Sequence, residues 1–189
     1  YYTEPEERMD NLMLAQACNT MWANHRLYTT ICGLTDEEFT GPATGFFGSI
    51  RATLQHVLEV DRFYIDALVD GGLGERAWSL PIPQTALSLW AEQRAWDQRL
   101  VEVCRAPPAT VSMDRGRRGH IVDRADRILL HVFQHQIHHR GQVHAMLSGT
   151  SAQPPQLDEF YCSAEAHLRA DELATLGLTE GDIDACFAR

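Results

Sequence analysis

The sequence contains no lysine, and all 16 of its basic side chains are arginine. No apolar run approaches the roughly 20 residues that a membrane-crossing helix needs. The opening residues, Tyr1-Tyr2-Thr3-Glu4-Pro5-Glu6-Glu7, are polar and acidic and do not read as a secretory signal. No Cys-x-x-Cys pair occurs among the five cysteines Cys18, Cys32, Cys104, Cys162 and Cys186. Their odd number fits free thiols in a reducing cytoplasm better than a disulfide framework, and each reads as small buried filler. Basic charge is scarce, with a net charge of -10. That balance argues against nucleic acid or an anionic membrane as partner, because phosphate binding needs a basic face. One local exception is Arg115-Gly116-Arg117-Arg118-Gly119. It reads either as a solvated loop or as a contact for an anion such as a substrate carboxylate.

What remains is an ordinary globular balance, 44% hydrophobic and 22% charged over 189 residues. This is one domain's length, enough to bury a core without disulfides. The apolar spacing is helical. A first helix is expected from Glu6 to Cys32 on Met9, Leu12, Met13, Ala17, Met21, Trp22 and Tyr28, stopped by Gly33. Thr35-Asp36-Glu37-Glu38 resembles a capped turn, and residues 40–48 form a glycine-rich loop. Ser49 caps a second helix to about Val69, with a stripe of Ile50, Leu54, Val57, Leu58, Asp61, Tyr64, Ile65 and Leu68. A third helix is expected from about Thr85 to Cys104 and a fourth from about Asp123 to Ser148. Residues 109–122 suit a short extended hairpin or an irregular loop. The tail has helix-like patches and a cap at Thr179. The expected fold is all-α, a four-helix bundle over residues 1–162 with a C-terminal helical extension, 163–189, packed on it.

Five of the nine histidines fall between His131 and His144. His135 and His139 are one helical turn apart, about 40° around the axis, so one helix can present both imidazoles to one metal ion. His131 lies one turn earlier on the same stripe, and His138 is displaced to the other edge. Buried without partners, so many imidazoles would leave unsatisfied nitrogens, which metal ligation removes. Zinc catalytic sites commonly use three protein ligands and keep an open position. His56, between Leu54 and Leu58, is the best third candidate, with His25 as runner-up; His120 and His167 read as surface residues. Gln136 stands where a His-Glu-x-x-His motif needs glutamate, and Gly141 stands where an oxygenase His-x-x-x-His-x-Glu motif needs it. Three neutral ligands leave the full charge on a dication, a strong Lewis acid toward water or a thiol.

Leu54-Gln55-His56 and His131-Val132-Phe133-Gln134-His135-Gln136-Ile137-His138-His139-Arg140-Gly141-Gln142 closely resemble the DinB family. Trp22-Ala23-Asn24-His25-Arg26-Leu27 and Pro155-Gln156-Leu157-Asp158-Glu159-Phe160 resemble its first-helix and post-bundle signatures. The resemblance covers about residues 9–161, and His-x-x-x-His-His-Arg-Gly-Gln is its most specific part. It implies a four-helix bundle, often dimeric, with one divalent metal on His56, His135 and His139. The metal it implies is zinc or nickel first, with iron as a further option. Characterised members of the wider superfamily are chiefly transferases and isomerases using low-molecular-weight thiols.

The leading functional expectation is therefore a metal-dependent enzyme of the thiol-transferase type. A thiolate at the metal attacks a small electrophile, with His131 or His138 shuttling a proton. The alternatives are a metal-dependent hydrolase of a small ester, amide or lactone, and a non-catalytic metal- or haem-binding bundle. The expected partners are a small-molecule substrate and a second copy of the chain, without nucleic acid or membrane. Arg140 and Gln142 read as residues that orient ligands, bridge subunits or bond on the helix surface. Gly141 reads as a point of close helix approach and Glu59 as a hydrogen-bond acceptor for His56. Trp22, Trp90 and Trp96 read as core, and Tyr28, Tyr64 and Tyr161 as possible donors to a substrate.

Overall fold

A computed structural model describes residues 5–187, with side chains from Leu12 onward. Met9, counted above in the first apolar stripe, lies outside the described side chains, as do both chain ends. The structure is mostly helical. Four long helices carry it: α1 (Pro5–Ile31), α3 (Ile50–Leu68), α4 (Ala86–Arg105) and α5 (Ala125–Leu147). Short helices α2 (Asp36–Thr40), α6 (Ala170–Leu176) and α7 (Glu180–Ala185) occupy the connection after α1 and the C-terminal part. Several starts are fixed by side-chain caps. Ser49 Oγ accepts from the Ala52 amide at 3.1 Å, and Thr35, Thr85 and Thr179 each form a reciprocal capping box.

The long helices pack in a ring in which α1 touches α4 and α5, and α3 touches the same two. The centre is largely apolar, with a buried polar network. Leu27, Ile31, Leu58, Ile65, Leu89, Leu100, Leu129 and Leu147 are fully buried. Trp22 and Trp96 are core residues, whereas Trp90 is half-buried beside His25, with ring centroids 5.7 Å apart. The helices α6 and α7 pack on α1. Glu172 fastens α6 there by accepting from Trp22 Nε1 at 2.7 Å and from Arg26 Nε at 2.8 Å. Among the described residues no helix is long and apolar enough to cross a membrane.

Two departures from the expected layout matter. The fold is not purely α, because of the two readings open for residues 109–122 the extended hairpin is the one that forms, with β1 (Thr110–Asp114) antiparallel to β2 (His120–Arg124). The expected start of the fourth helix is thereby cut back. Asp123 pairs with Val111 and Arg124 with Thr110, so their backbone is extended, and α5 begins at Ala125. The hairpin stays because Val111 and Met113 are buried while their neighbours face out. The cysteines also divide. Cys18, Cys104 and Cys186 are buried and Cys32 is half-buried, but Cys162 is exposed and is not filler. All five are free thiols.

Candidate metal centre

Helices α3 and α5 face each other, and their contact brings three histidines together. His56 comes from α3, and His135 and His139 come from successive turns of α5. One ring nitrogen from each lies within 4.8 Å of the other two. His56 Nε2 and His135 Nε2 are 3.0 Å apart, and the ring centroids are separated by 4.4 to 5.0 Å. The runner-up His25 is outside the group, held against Trp90. His120 and His167 are exposed.

The electrostatics keep this cluster neutral. Burial lowers the pKa of His56, and a charge on His139 would lower it further. His135 is pushed down to about 3, first by burial and then by the other histidines around it. Burial also lowers His139, against a smaller upward pull from its hydrogen bond to Gln142. Neutral imidazole is the form that ligates a metal. Two Nε2 atoms 3.0 Å apart need either a proton or a cation between their lone pairs. Tetrahedral Zn–N bonds of about 2.0–2.1 Å place ligand nitrogens roughly 3.3 Å apart, inside the spacing seen here. An all-nitrogen set suits zinc, nickel or iron and not the oxygen-seeking magnesium or calcium. The residues present therefore fit a divalent transition-type ion.

The surroundings orient one ligand well. His139 Nδ1 donates to Gln142 Oε1 at 2.8 Å, which fixes the tautomer and frees Nε2. Gln142 Nε2 in turn donates to His138 Nε2 at 3.2 Å. His135 Nδ1 is buried with no hydrogen-bond partner among the described residues, and Glu59 makes no hydrogen bond with His56. His131 and His138 are exposed beside the cluster. The His131 ring is 6.2 Å from that of His135 and 4.8 Å from Tyr64. Tyr28 is buried away from solvent and Tyr161 donates to Gln16 at 3.1 Å, whereas Tyr64 packs on His131 beside the cluster.

Phe47 was not legible as a site residue. Its ring stacks on His56 at 4.3 Å and lies 5.6 Å from His139, so the loop before α3 covers the cluster. The loop lies against α5 at Gly45, where a Cβ would meet the movable end of the Met146 side chain, Cε, at 2.5 Å. The available signal was two aromatics between glycines, Gly45-Phe46-Phe47-Gly48, just ahead of the His56 helix.

A second polar feature lies in the core behind the histidines. Asp61 accepts from Gln93 Nε2 at 2.6 Å and from Gln136 Nε2. Asp97 accepts from Asn24 Nδ2 at 3.0 Å and from Gln93 Nε2 at 3.0 Å. Arg140 Nη1 donates to Asn24 Oδ1 at 3.0 Å. All six residues are buried. Burial pushes Asp61 well above the usual carboxylate range, helped by Asp97, and it raises Asp97 to about 6. Arg140 is thus a core cation and not a helix-surface residue. Gly141 is not a point of close approach within this chain, since a Cβ there would meet nothing within 4 Å.

Comparison with curated proteins gives no match. The sequence pattern of the DinB family matches residues 10–171, most of the chain, reaching past the post-bundle signature into α6. Both helices that supply the clustered histidines lie within that span, and the chain belongs to the DinB family.

Proposed function

We propose that this chain is a divalent-metal-dependent enzyme, a DinB-type four-helix bundle that transfers or adds a low-molecular-weight thiol to a small electrophile. In this reading residues 1–162 form the bundle and residues 163–189 its C-terminal extension. His56, His135 and His139 are the metal ligands, and zinc or nickel is the preferred ion, with iron as a further option. The observation that carries the reading is the convergence of three neutral imidazoles from two helices. Such a group suits one ion better than a haem, whose ring would have to pass between nitrogens 3.0 Å apart. The bound ion supplies Lewis acidity that favours thiolate over thiol at neutral pH.

The chain's own residues do the rest. Gln142 holds the His139 ring in place. Phe47 covers His56 and limits access of water from that side. His131 and His138, both exposed at the rim, take the thiol proton and pass it to solvent or product. Sulfur forms a bond to the electrophilic carbon, which either gains a proton at its neighbour or loses its leaving group. The free cysteines fit a reducing cytoplasm. We also propose a homodimer, through the outer face of α5.

Thiol titration tests the reaction. Zinc- or nickel-loaded protein is mixed with small thiols and a chromogenic aryl halide. Thiol loss should require metal and fall at least about a hundredfold in His135→Ala. Hydrolysis of an activated ester with no thiol consumed would replace this reading with the hydrolase.

A further inference from the structure

A cavity of about 240 Å3 lies at Tyr64, whose ring packs on His131 beside the histidine cluster. Three elements build it. Phe63 and Tyr64 come from the C-terminal half of α3, Glu75 and Trp78 from the helical turn Gly74–Ser79, and Arg115 and Arg118 from the hairpin tip. Phe63 and Trp78 stack at 5.1 Å and make a flat apolar wall. Arg115 Nη2 donates to Tyr64 Oη at 2.8 Å, while its Nε is buried with no partner. The Arg118 guanidinium has no hydrogen-bond or ion-pair partner among the described residues, and its side chain is exposed. In a chain of net charge -10, two arginines here leave donors unspent.

We infer that this cavity binds the carboxylate of a small molecule whose other end reaches the histidine cluster. Charge selects the group. Two guanidiniums against the Glu75 carboxylate leave a single positive charge, which a monoanion balances. A phosphate dianion would leave the cavity with a net negative charge. Planar guanidinium matches planar carboxylate through paired N–H donors, and the Phe63–Trp78 wall suits a flat apolar body. A chain of ring contacts links the cavity to the histidine cluster. The Tyr64 ring touches that of His131, and the His131 ring neighbours that of His135. Tyr64 stands two turns along α3 from His56, a rise of about 12 Å, so the ligand is extended. The carboxylate belongs either to the thiol or to the electrophile. The far end of the ligand rests on the proposed metal centre; the charge and walls of the cavity do not.

Calorimetric titration of the full chain with benzoate and with benzamide, its neutral counterpart, tests the inference. Benzoate should bind saturably and at least about tenfold tighter than benzamide. Arg118→Gln, an exposed change that leaves the fold intact, should remove most of that preference, and Arg115→Gln the remainder. His135→Ala should bind benzoate as the wild type does, so a failed metal centre and a failed carboxylate pocket give different results. In turnover, Arg118→Gln should raise the KM of whichever substrate carries the carboxylate and leave the other KM unchanged. Equal binding of benzoate and benzamide, or undiminished benzoate binding in Arg118→Gln, would overturn the inference. So would benzoate binding that is lost in His135→Ala alone, because the carboxylate would then be on the ion.

Discussion

Arg140 is the cation that faces both buried carboxylates, Asp61 and Asp97. Removing one partner of a buried charge group costs about 3–5 kcal/mol, because the remaining charge is left uncompensated. Arg140→Met should therefore lose about that much stability in denaturant unfolding at neutral pH. The pH dependence has a definite sign. Asp97 is raised from its ordinary 3.8 to about 6 in the folded state, chiefly by burial. Between those values the folded protein holds the proton and the unfolded chain does not. Its contribution is complete below about 4 and is lost as pH rises through 6. Without the cation that loss steepens, so Arg140→Met should approach wild-type stability at pH 5 and fall away by pH 8. A variant as stable as wild type at pH 8 would show that the carboxylates do not need Arg140. This network was only half visible in the sequence. Asp61 fell inside an apolar stripe, but Arg140 next to His139 read as a residue that orients ligands, bridges subunits or bonds on the helix surface, not as a core cation. Its partners come from α1, α3 and α4, and no local spacing links them. The histidine pair on α5 was visible because both residues lie on one helix, where spacing alone sets the geometry.

At the scale of elements, α5 presents two faces. Its inner side carries His135, His139, Arg140 and the core residues Leu129, Val132 and Val143. Its outer side leaves Leu130 and Ile137 about half exposed, with Gly141 and Ala145 also open on the same stripe. Small residues beside exposed branched ones allow a second helix to approach closely. The homodimer proposed above should use this face. Light scattering should give twice the chain mass for wild type and a single chain for Leu130→Glu. An undiminished dimer in Leu130→Glu would move the interface elsewhere. Helix starts with a serine or threonine cap were readable in the sequence because the cap is local, as at Ser49, Thr85 and Thr179. The start of α5 was not, since Arg124 supplies no side-chain cap and strand pairing with β1 sets the boundary instead.

For the whole molecule, the decisive step is the packing of α3 on α5. It carries His56 to the pair on α5, and it lets the loop with Phe47, the hairpin tip and the turn with Trp78 close around one side. From the sequence, His56 was the best third candidate ahead of His25 and the one the family resemblance implied, and the assembled fold groups it with the pair on α5 and leaves His25 outside. His56, His135 and His139 are proposed to form one metal centre. Elemental analysis of purified, zinc-reconstituted protein tests it most directly, beside His56→Ala, His135→Ala and His139→Ala. Wild type should hold one ion per chain and all three variants should lose it, with helical content retained by circular dichroism. A wild type that binds no ion, or three folded variants that keep it, would mean that these histidines do not form a metal centre.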